Sequence, residues 1–267
     1  LIKKFYLQDN LDWGNIYLIL LNLFDKKLNN FSYSTKGNLI ISIFKYIFPY
    51  VEKYVNSDNI KYHLNYTYSL NKIVSLKNSK QIMKKIDKYV TDWHKTDYYY
   101  FTPIMDCAKY SDLYSFRYLF NKIEDYDVLL EISQCNQDFI LCLLHNNDVN
   151  ILKSMKLFLK TKIEFFNIDD YMFNNYIDFF INNIAYVEKY HKDYKTKIKI
   201  MHDILPEKYK SEFVSELFNH YINSKIGIYI FNNYKFKLNF INSFSYKYGN
   251  RCIKIKKWIK IEYFIEI

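Results

Sequence analysis

The chain has 267 residues, of which 50% are hydrophobic, 20% aromatic and 25% charged, with Gly 4 and Pro 3. This length suits one large domain, two small domains or an elongated repeat array, and the composition excludes a disordered, collagen-like or mucin-like chain. The formal net charge is +10, from Lys+Arg 38 against Asp+Glu 28. A basic balance of this kind can attract nucleic acid or an anionic membrane.

Codon usage explains much of this composition. Ile, Lys, Asn and Tyr make up roughly half of the chain, whereas Ala occurs only at Ala108 and Ala185, and Arg only at Arg117 and Arg251. The abundant residues have A/T-rich codons, so an A/T-rich genome accounts for the excess of Lys. Arg, which suits bidentate contacts with bases and phosphates, is nearly absent. A solvated Lys-rich surface is therefore the simpler interpretation, and nucleic-acid binding stays as an alternative.

In chain order, residues 1–69 are predicted to be a helical region, as divergent repeats or a cap. The apolar stretches 13–24 and 39–44 are shorter than the about 20 residues that a transmembrane helix needs, so we expect buried helices and no transmembrane segment. The chain begins at Leu1 without Met and shows no signal-peptide layout. We expect a fragment or a processed product, located in the cytoplasm.

Residues 70–235 carry a recurring spacing. Between residues 102 and 120, Pro103 opens a short predicted helix, Ser111 and Asp112 form a tight turn, and a second helix follows. The same order recurs around residues 139–155 and 176–190, with a weaker copy at 75–86. Two short helices in about 33 to 36 residues are typical of a solenoid, because each helix pair covers the apolar face that its neighbour cannot bury alone.

The best copy resembles the ankyrin repeat, whose pattern is Thr-Pro-Leu-His, then Ala-Ala, then Gly-His, then a second helix with paired Leu. The segment 102–104 (Thr-Pro-Ile) matches the opening, 107–108 (Cys-Ala) the small pair, and 119–120 (Leu-Phe) the paired Leu. In two places the residues differ: Met105 stands for the His, and 111–112 (Ser-Asp) for Gly-His. The Gly that ends the second helix is missing, and the other copies keep only the hydrophobic spacing.

With this A/T-biased amino-acid composition, the chain is similar to the degenerate ankyrin-repeat proteins of large DNA viruses of amoebae. The resemblance implies an all-α solenoid that acts as a non-enzymatic scaffold, binds a host or viral protein, and lies in the host cytoplasm if the source is viral. Another type of helical repeat and a non-repeat α-helical domain remain alternatives for the fold. A basic nucleic-acid-binding or virion-associated protein remains the alternative for the function.

No motif for catalysis, cofactor binding or metal binding is present, so we predict no site residue of these three kinds and no cofactor. Cys142 and His145 are three residues apart on one predicted helix, but no orienting group or oxyanion hole accompanies them. The carboxylate pairs 124–125 and 169–170 stand at helix boundaries, where N-capping explains them. An enzyme on a divergent helical fold stays as an alternative.

A protein-binding role directs attention to the turns between helices. Tyr110–Asp112, His145–Asp148 and Asn182–Asn183 lie at predicted turns and are the first residues to test. The aromatic run 98–101 (Tyr-Tyr-Tyr-Phe) could be a binding hot spot or a base-stacking platform. Because the chain contains 29 tyrosines, core filling and codon bias explain that run more simply.

Three further features complete the sequence-based expectations. The four cysteines, at 107, 135, 142 and 252, form no CxxC pair, so we expect buried free thiols in a reducing compartment. Leu205-Pro206-Glu207 faintly resembles an F-box opening, which would imply a ubiquitin-ligase adaptor. The basic segment 236–267 is predicted to be a β-hairpin or a cap on the last repeat, and a membrane-surface role for it is an alternative.

Overall fold

The computed structural model describes residues 42, 45, 46, 48, 49, 52, 53, 57–66, 69–182, 191–221 and 225–234. Within these residues the chain forms eleven α-helices and no β-strand, and the predicted all-α class is confirmed for this part. The helices are α1 (Ser57–Tyr66), α2 (Ser69–Val74), α3 (Lys80–Ile86), α4 (Pro103–Tyr110), α5 (Leu113–Phe120), α6 (Phe139–His145), α7 (Val149–Lys162), α8 (Asp170–Asn182), α9 (His191–Ile204), α10 (Glu207–Tyr221) and α11 (Lys225–Asn233). Short 3-10 helices span Asp87–Tyr89, Tyr126–Leu130 and Ile163–Phe166.

The helix, turn and second helix predicted around residue 110 are confirmed. Pro103 is the first residue of α4, and the Oγ1 of Thr102 accepts a hydrogen bond from the N–H of Met105 at 3.3 Å. Asp112 caps α5, because its carboxylate accepts from the N–H of Ser115 at 3.1 Å. Such caps satisfy amide groups that the first turn of a helix leaves without an intrahelical partner.

Helices α4, α6 and α8 begin in the same way. In each, the side chain of the capping residue accepts a hydrogen bond from the N–H three residues later. The pairs are Thr102 with Met105, Asp138 with Leu141, and Asp169 with Met172, at 3.3, 2.7 and 2.8 Å. The residue two positions before each cap is left-handed: Tyr100, Asn136 and Asn167 have φ of 59°, 55° and 42°.

The helices of residues 69–204 contact one another in two series. Helix α4 packs against α2 and α6, and α6 packs against α8; we call α2, α4, α6 and α8 the first series. Helix α5 packs against α3 and α7, and α7 packs against α9; these four are the second series. The two series also touch, because α2 contacts α3, α4 contacts α5, and α6 contacts α7.

Aromatic side chains fill the space between these helices. Phe139, at the start of α6, is fully buried, and its ring stacks on those of Phe116 and Phe166 with centroid distances of 6.3 and 6.5 Å. Phe120 and Phe158 meet edge to face at 5.3 Å, which joins α5 to α7. Large rings that interlock in this way contribute much of the apolar area that stabilises a core.

Residues from Leu205 onward form a second compact unit. Its described helices, α10 and α11, pack against each other, and the rings of Phe218 and Phe231 lie 5.9 Å apart. Leu205-Pro206-Glu207 stands where α10 begins, and the adaptor role suggested for this segment stays a prediction. The predicted turn at Asn183, the second helix expected near residue 186, and the segment 236–267 lie outside the described residues.

The expectation of buried cysteines is only partly correct. Cys107 and Cys142 are buried and free, but Cys135 is exposed, and Cys252 lies outside the described residues. Cys135 is exposed because it stands in a turn between two elements rather than on a helix face that packs. Within the described residues, none of the helices combines the length and the apolar character that crossing a bilayer requires.

Candidate functional site

The aromatic run 98–101 forms a tight turn, which we call the tyrosine turn (residues 97–101). The N–H of Asp97 donates to the carbonyl of Phe101 at 2.9 Å, and the N–H of Tyr100 donates to the carbonyl of Asp97 at 3.1 Å. The Asp97 carboxylate also accepts from the N–H of Tyr99 and of Phe101, both at 2.9 Å. The turn is therefore held at both ends by backbone and side-chain hydrogen bonds.

The three tyrosines of this turn point into solvent. Tyr98, Tyr99 and Tyr100 are 66%, 52% and 52% exposed, whereas Phe101 is buried. The rings of Tyr98 and Tyr99 meet edge to face at 5.3 Å. The sequence-based interpretation of the run as core filling was therefore wrong for the tyrosines. The bends at Asp97 and Tyr100 turn the chain outward, which composition and periodicity cannot reveal.

A second turn of the same build lies beside the tyrosine turn. The N–H of Ser133 donates to the carbonyl of Gln137 at 3.0 Å, and the N–H of Asn136 donates to the carbonyl of Ser133 at 2.9 Å. The N–H of Gln134 donates to the carbonyl of Tyr99 at 2.9 Å, which joins the two turns. Neighbouring turns linked in this way form a continuous, braced edge.

Lys109, on α4, lies next to the tyrosine turn and connects it to Tyr110. Its Nζ donates to the Oε1 of Gln137 at 2.7 Å and lies 5.2 and 5.0 Å from the ring centres of Phe101 and Tyr110. Tyr110 is 40% exposed. We call Tyr98, Tyr99, Tyr100, Lys109 and Tyr110 the tyrosine-turn surface. Sequence reasoning singled out four of these five residues and missed Lys109, because its partner Gln137 is remote in the chain.

The other turns named for testing are tied into the structure. The Oγ of Ser111 donates to the carbonyl of Leu76 at 2.8 Å, and an Asp112 carboxylate oxygen accepts from the N–H of Asn78. The Nδ2 of Asn146 donates to the carbonyls of Ala108 and Ser111 at 2.8 and 3.0 Å. These side chains connect successive turns, so their polar groups are occupied within the chain.

Cys142 and His145 are not arranged for nucleophilic catalysis. Burial raises the pKa of the Cys142 thiol well above its usual value, and the thiol therefore stays protonated at neutral pH. Burial, with Lys109 and Lys197 nearby, lowers the pKa of His145 to about 4. A thiolate–imidazolium pair needs a lowered pKa of the thiol and a raised pKa of the imidazole, which is the reverse of both shifts. The His145 ring instead packs edge to face on Phe179 at 4.8 Å.

Two carboxyl groups lie in low-polarity surroundings. Burial raises the pKa of Asp106 to about 7, and Asn71 Nδ2 donates to that carboxylate at 2.9 Å. Burial also raises the pKa of Asp138 to about 6, although the carboxylate accepts from the N–H of Leu141 and from the hydroxyl of Tyr176 at 2.8 Å. The Asp106 carboxylate bonds to Asn71 of α2. The Asp138 carboxylate caps α6 and bonds to Tyr176 of α8, so each of the two has a structural role.

Lys197, on α9, is a buried lysine that the sequence does not mark. Its Nζ donates to the carbonyls of Leu144 and Asn146 at 2.6 and 2.9 Å. Burial lowers its pKa to about 8. Because these carbonyls lie at the C-terminal end of α6, the ammonium group completes hydrogen bonds that the helix end leaves open and offsets its negative dipole.

In the part of the chain that the structure describes, no three His, Cys, Asp or Glu side chains are grouped as metal ligands would be. The carboxylate pairs 124–125 and 169–170 act as predicted, since Asp125 accepts from the N–H of Asp127 and Asp169 from that of Met172. The tyrosine-turn surface is thus the candidate functional site.

Comparison with known proteins identifies no relative. No family model matches the chain, and neither a curated protein nor a solved structure matches it.

Proposed function

We propose that the protein is a non-enzymatic scaffold that binds another protein, and that helices α2 to α7 belong to an ankyrin-like array of stacked helix pairs. The observation that carries the binding role is the tyrosine-turn surface. It presents three consecutive exposed tyrosines on a turn that hydrogen bonds hold in one conformation. A partner bound there would be a protein segment that covers these rings.

The contacts between helices support the stacked array. In the pairs α2–α3, α4–α5 and α6–α7, one helix belongs to each series, and neighbouring members of a series touch. Three hydrogen bonds between successive pairs join residues 35 positions apart, and two others join residues 34 and 38 positions apart. The first three bonds run from Lys80 N–H to Ser115 Oγ, from Ser111 Oγ to the Leu76 carbonyl, and from Asn146 Nδ2 to the Ser111 carbonyl. A separation that recurs near 35 residues is what a translational repeat of helix pairs produces.

Tyrosine is well suited to a binding surface. Its ring buries a large area with only two rotatable bonds, and its hydroxyl finds polar partners at the same time. Tyr and Trp are enriched among the residues that dominate binding energy, whereas isolated exposed aliphatic residues are common and carry no such meaning. Lys109 adds a positive charge at the edge of the rings, where an acidic or carbonyl group of a partner would be attracted.

Tyr100 adds an argument from backbone strain. Its φ of 59° is left-handed, and the equivalent positions in the neighbouring turns carry Asn136 and Asn167. Asn tolerates this region far better than an aromatic residue does. A strained residue with an exposed side chain is a common feature of functional surfaces, so Tyr100 supports a role for its ring outside the fold.

The test is a binding selection with the purified chain. A displayed library of random peptides would be selected on the wild type, and the affinities of the selected peptides measured for the double variant Y98S/Y99S. We expect affinity to fall by at least about tenfold, because truncated hot-spot residues each lower binding by more than about 1 kcal/mol.

The matched control is Y62S/Y171S, since these tyrosines are 58% and 50% exposed on α1 and α8, outside the tyrosine-turn surface. It should bind the peptides as the wild type does. Equal affinity for the wild type and Y98S/Y99S, or an equal loss in the control, would contradict the proposed site. Circular dichroism would show that each variant keeps the helical content of the wild type.

A further inference from the structure

Three of the four second-series helices carry cationic residues without acidic ones, whereas the fourth, α9, carries Asp193 and Asp203 beside its lysines. Helices α3, α5 and α7 of the second series carry three, one and four cationic residues and no Asp or Glu. The first-series helices carry Lys72 and Lys109 against Asp106, Asp170 and Asp178. Codon bias favours Lys throughout the chain and does not remove acidic residues, of which the chain has 28. Genome composition therefore leaves the absence of acidic residues from these three helices unexplained.

Cationic side chains of all three helices are exposed to solvent. Lys84 and Lys85 of α3, Arg117 of α5, and Lys153 and Lys160 of α7 are all exposed, and α5 lies between α3 and α7. We call these five residues the basic face. Among the described residues, no ion pair includes any of them, whereas the neighbouring Lys122 and Lys156 are paired with Asp87 and Asp203. The basic face thus adds its charges without internal compensation.

Two large apolar side chains stand on the same face. Leu157 is 74% exposed and lies four residues after Lys153 and three before Lys160, so the three share one side of α7. Tyr114 is 70% exposed and lies three residues before Arg117 on α5. Exposed apolar groups surrounded by lysines are typical of surfaces that lie on a bilayer, where the apolar groups enter the headgroup region.

We propose that the basic face docks on the surface of a bilayer that contains anionic lipids, with Leu157 and Tyr114 in the headgroup region. Two observations favour a bilayer over nucleic acid. Leu157 has no polar group for a phosphate or a base, and four of the five cations are Lys, which acts as a point charge and lacks the bidentate geometry that suits Arg to nucleic-acid contacts. This surface uses the second series, so it leaves the tyrosine-turn surface on α4 and its turns available.

An acidic edge determines which way the face would lie. Glu124, Asp125 and Asp127 are exposed in the segment after α5, where the Tyr126 ring packs against Phe158 at 5.2 Å. Like charges repel, so this edge should remain farther from anionic headgroups than Lys153 and Lys160. Replacing Glu124 and Asp127 by their amides should therefore strengthen binding to the bilayer.

The test is flotation of the purified full chain with phosphatidylcholine vesicles that contain or lack phosphatidylserine. Wild type should bind only the anionic vesicles. Because each lysine near an anionic surface contributes about fivefold in affinity, K153Q/K160Q should bind about 25-fold more weakly. The matched control K61Q/K95Q removes the same charge at exposed lysines outside α3, α5 and α7 and should bind as the wild type does.

A second variant separates the bilayer from nucleic acid. L157S should weaken binding to anionic vesicles several-fold and leave any binding to duplex DNA unchanged. The proposal is overturned if wild type does not float with anionic vesicles, or if K61Q/K95Q loses as much binding as K153Q/K160Q. Duplex binding that depends on Lys153 and Lys160, with no binding to vesicles, would instead assign the face to nucleic acid.

Discussion

Tyr100 and Asn136 occupy the same place in two turns of the same build, with φ of 59° and 55°. Each residue lies two positions before the residue that caps the next helix of the first series, Thr102 or Asp138. The turns are also joined directly, because Gln134 N–H donates to the Tyr99 carbonyl at 2.9 Å. Tyr100 therefore has a left-handed conformation for which the neighbouring turn uses Asn136, a residue that tolerates this conformation better.

Replacing Tyr100 by Asn should stabilise the fold. A left-handed conformation costs a non-glycine residue roughly 1–2 kcal/mol, and Asn lowers that cost, so we expect Y100N to raise the free energy of unfolding by about 0.5–1 kcal/mol. Urea denaturation followed by circular dichroism measures the change. The control Y99N, at a neighbouring exposed position, should give no gain. A decrease for Y100N would show that the ring itself stabilises the turn.

Asn146 should be far more sensitive to substitution than its neighbour. Its buried Nδ2 donates to the Ala108 and Ser111 carbonyls, and its Oδ1 accepts from the N–H of Asp148 at 2.7 Å. N146A leaves these groups without partners and should lower the free energy of unfolding by about 2–3 kcal/mol. The exposed Asn147 provides the control, and N147A should change it by less than about 0.5 kcal/mol. Similar losses in both variants would show that the bonds between turns contribute little.

Phe139 should dominate the aromatic packing between α5 and α6. Its fully buried ring stacks on Phe116 and Phe166, so F139A should lower the free energy of unfolding by about 3–5 kcal/mol. Y171A removes an equally large ring that is 50% exposed on α8 and should have an effect below about 1 kcal/mol. The same denaturation measurement checks both, and a small effect of F139A would contradict the packing described here.

Asp106 should make stability fall as the pH rises toward neutrality. Its pKa in the folded chain is raised from 3.8 to about 7, so between these values the folded state binds a proton that the unfolded state has released. The variant D106N removes this titration, and its amide oxygen can still accept from Asn71 Nδ2. We therefore expect the free energy of unfolding of the wild type to fall between pH 5 and pH 8 by about 2 kcal/mol more than that of D106N. A difference that does not change with pH would contradict a buried, titrating carboxyl group.

His145 should act in the opposite direction on the acid side. Its pKa in the folded chain is lowered from 6.5 to about 4, so the unfolded state binds the extra proton and stability falls as the pH drops from 6.5 toward 4. H145F keeps a ring against Phe179 and removes the titration. Because His145 is partly exposed, the effect is reduced. We expect the free energy of unfolding of H145F to fall by about 1 kcal/mol less than that of the wild type between pH 7 and pH 5. Parallel pH profiles for the two proteins would contradict the shift.

The helix pair around residue 110 could be predicted from the sequence because its signals are local. Pro103 opens a helix, Thr102 and Asp112 cap helices through their own next few residues, and Phe116 and Leu119 stand on one face by helical spacing. Each of these effects acts within about one helical turn. They are therefore readable without knowledge of what packs against the pair.

The candidate site was only half readable in the same way. The run of tyrosines was visible, but whether the rings faced the core or solvent depended on the bend at Tyr100 and on the support from Gln134. Lys109 was overlooked because its partner Gln137 is 28 residues away. Sequence patterns report neighbours along the chain, whereas these contacts join segments that become neighbours only after the helices pack.

By itself, the sequence determined the helical class of the described residues, the positions of several helices and the residues that cap them, since these depend on short-range backbone chemistry. Only the tertiary structure decided that Lys197 is buried at the end of α6, that Asp106 lies against Asn71, and that α5, with its exposed Arg117, packs against both α3 and α7. The physical reason is that burial and charge environment are properties of the space around a side chain, and distant parts of the chain fill that space.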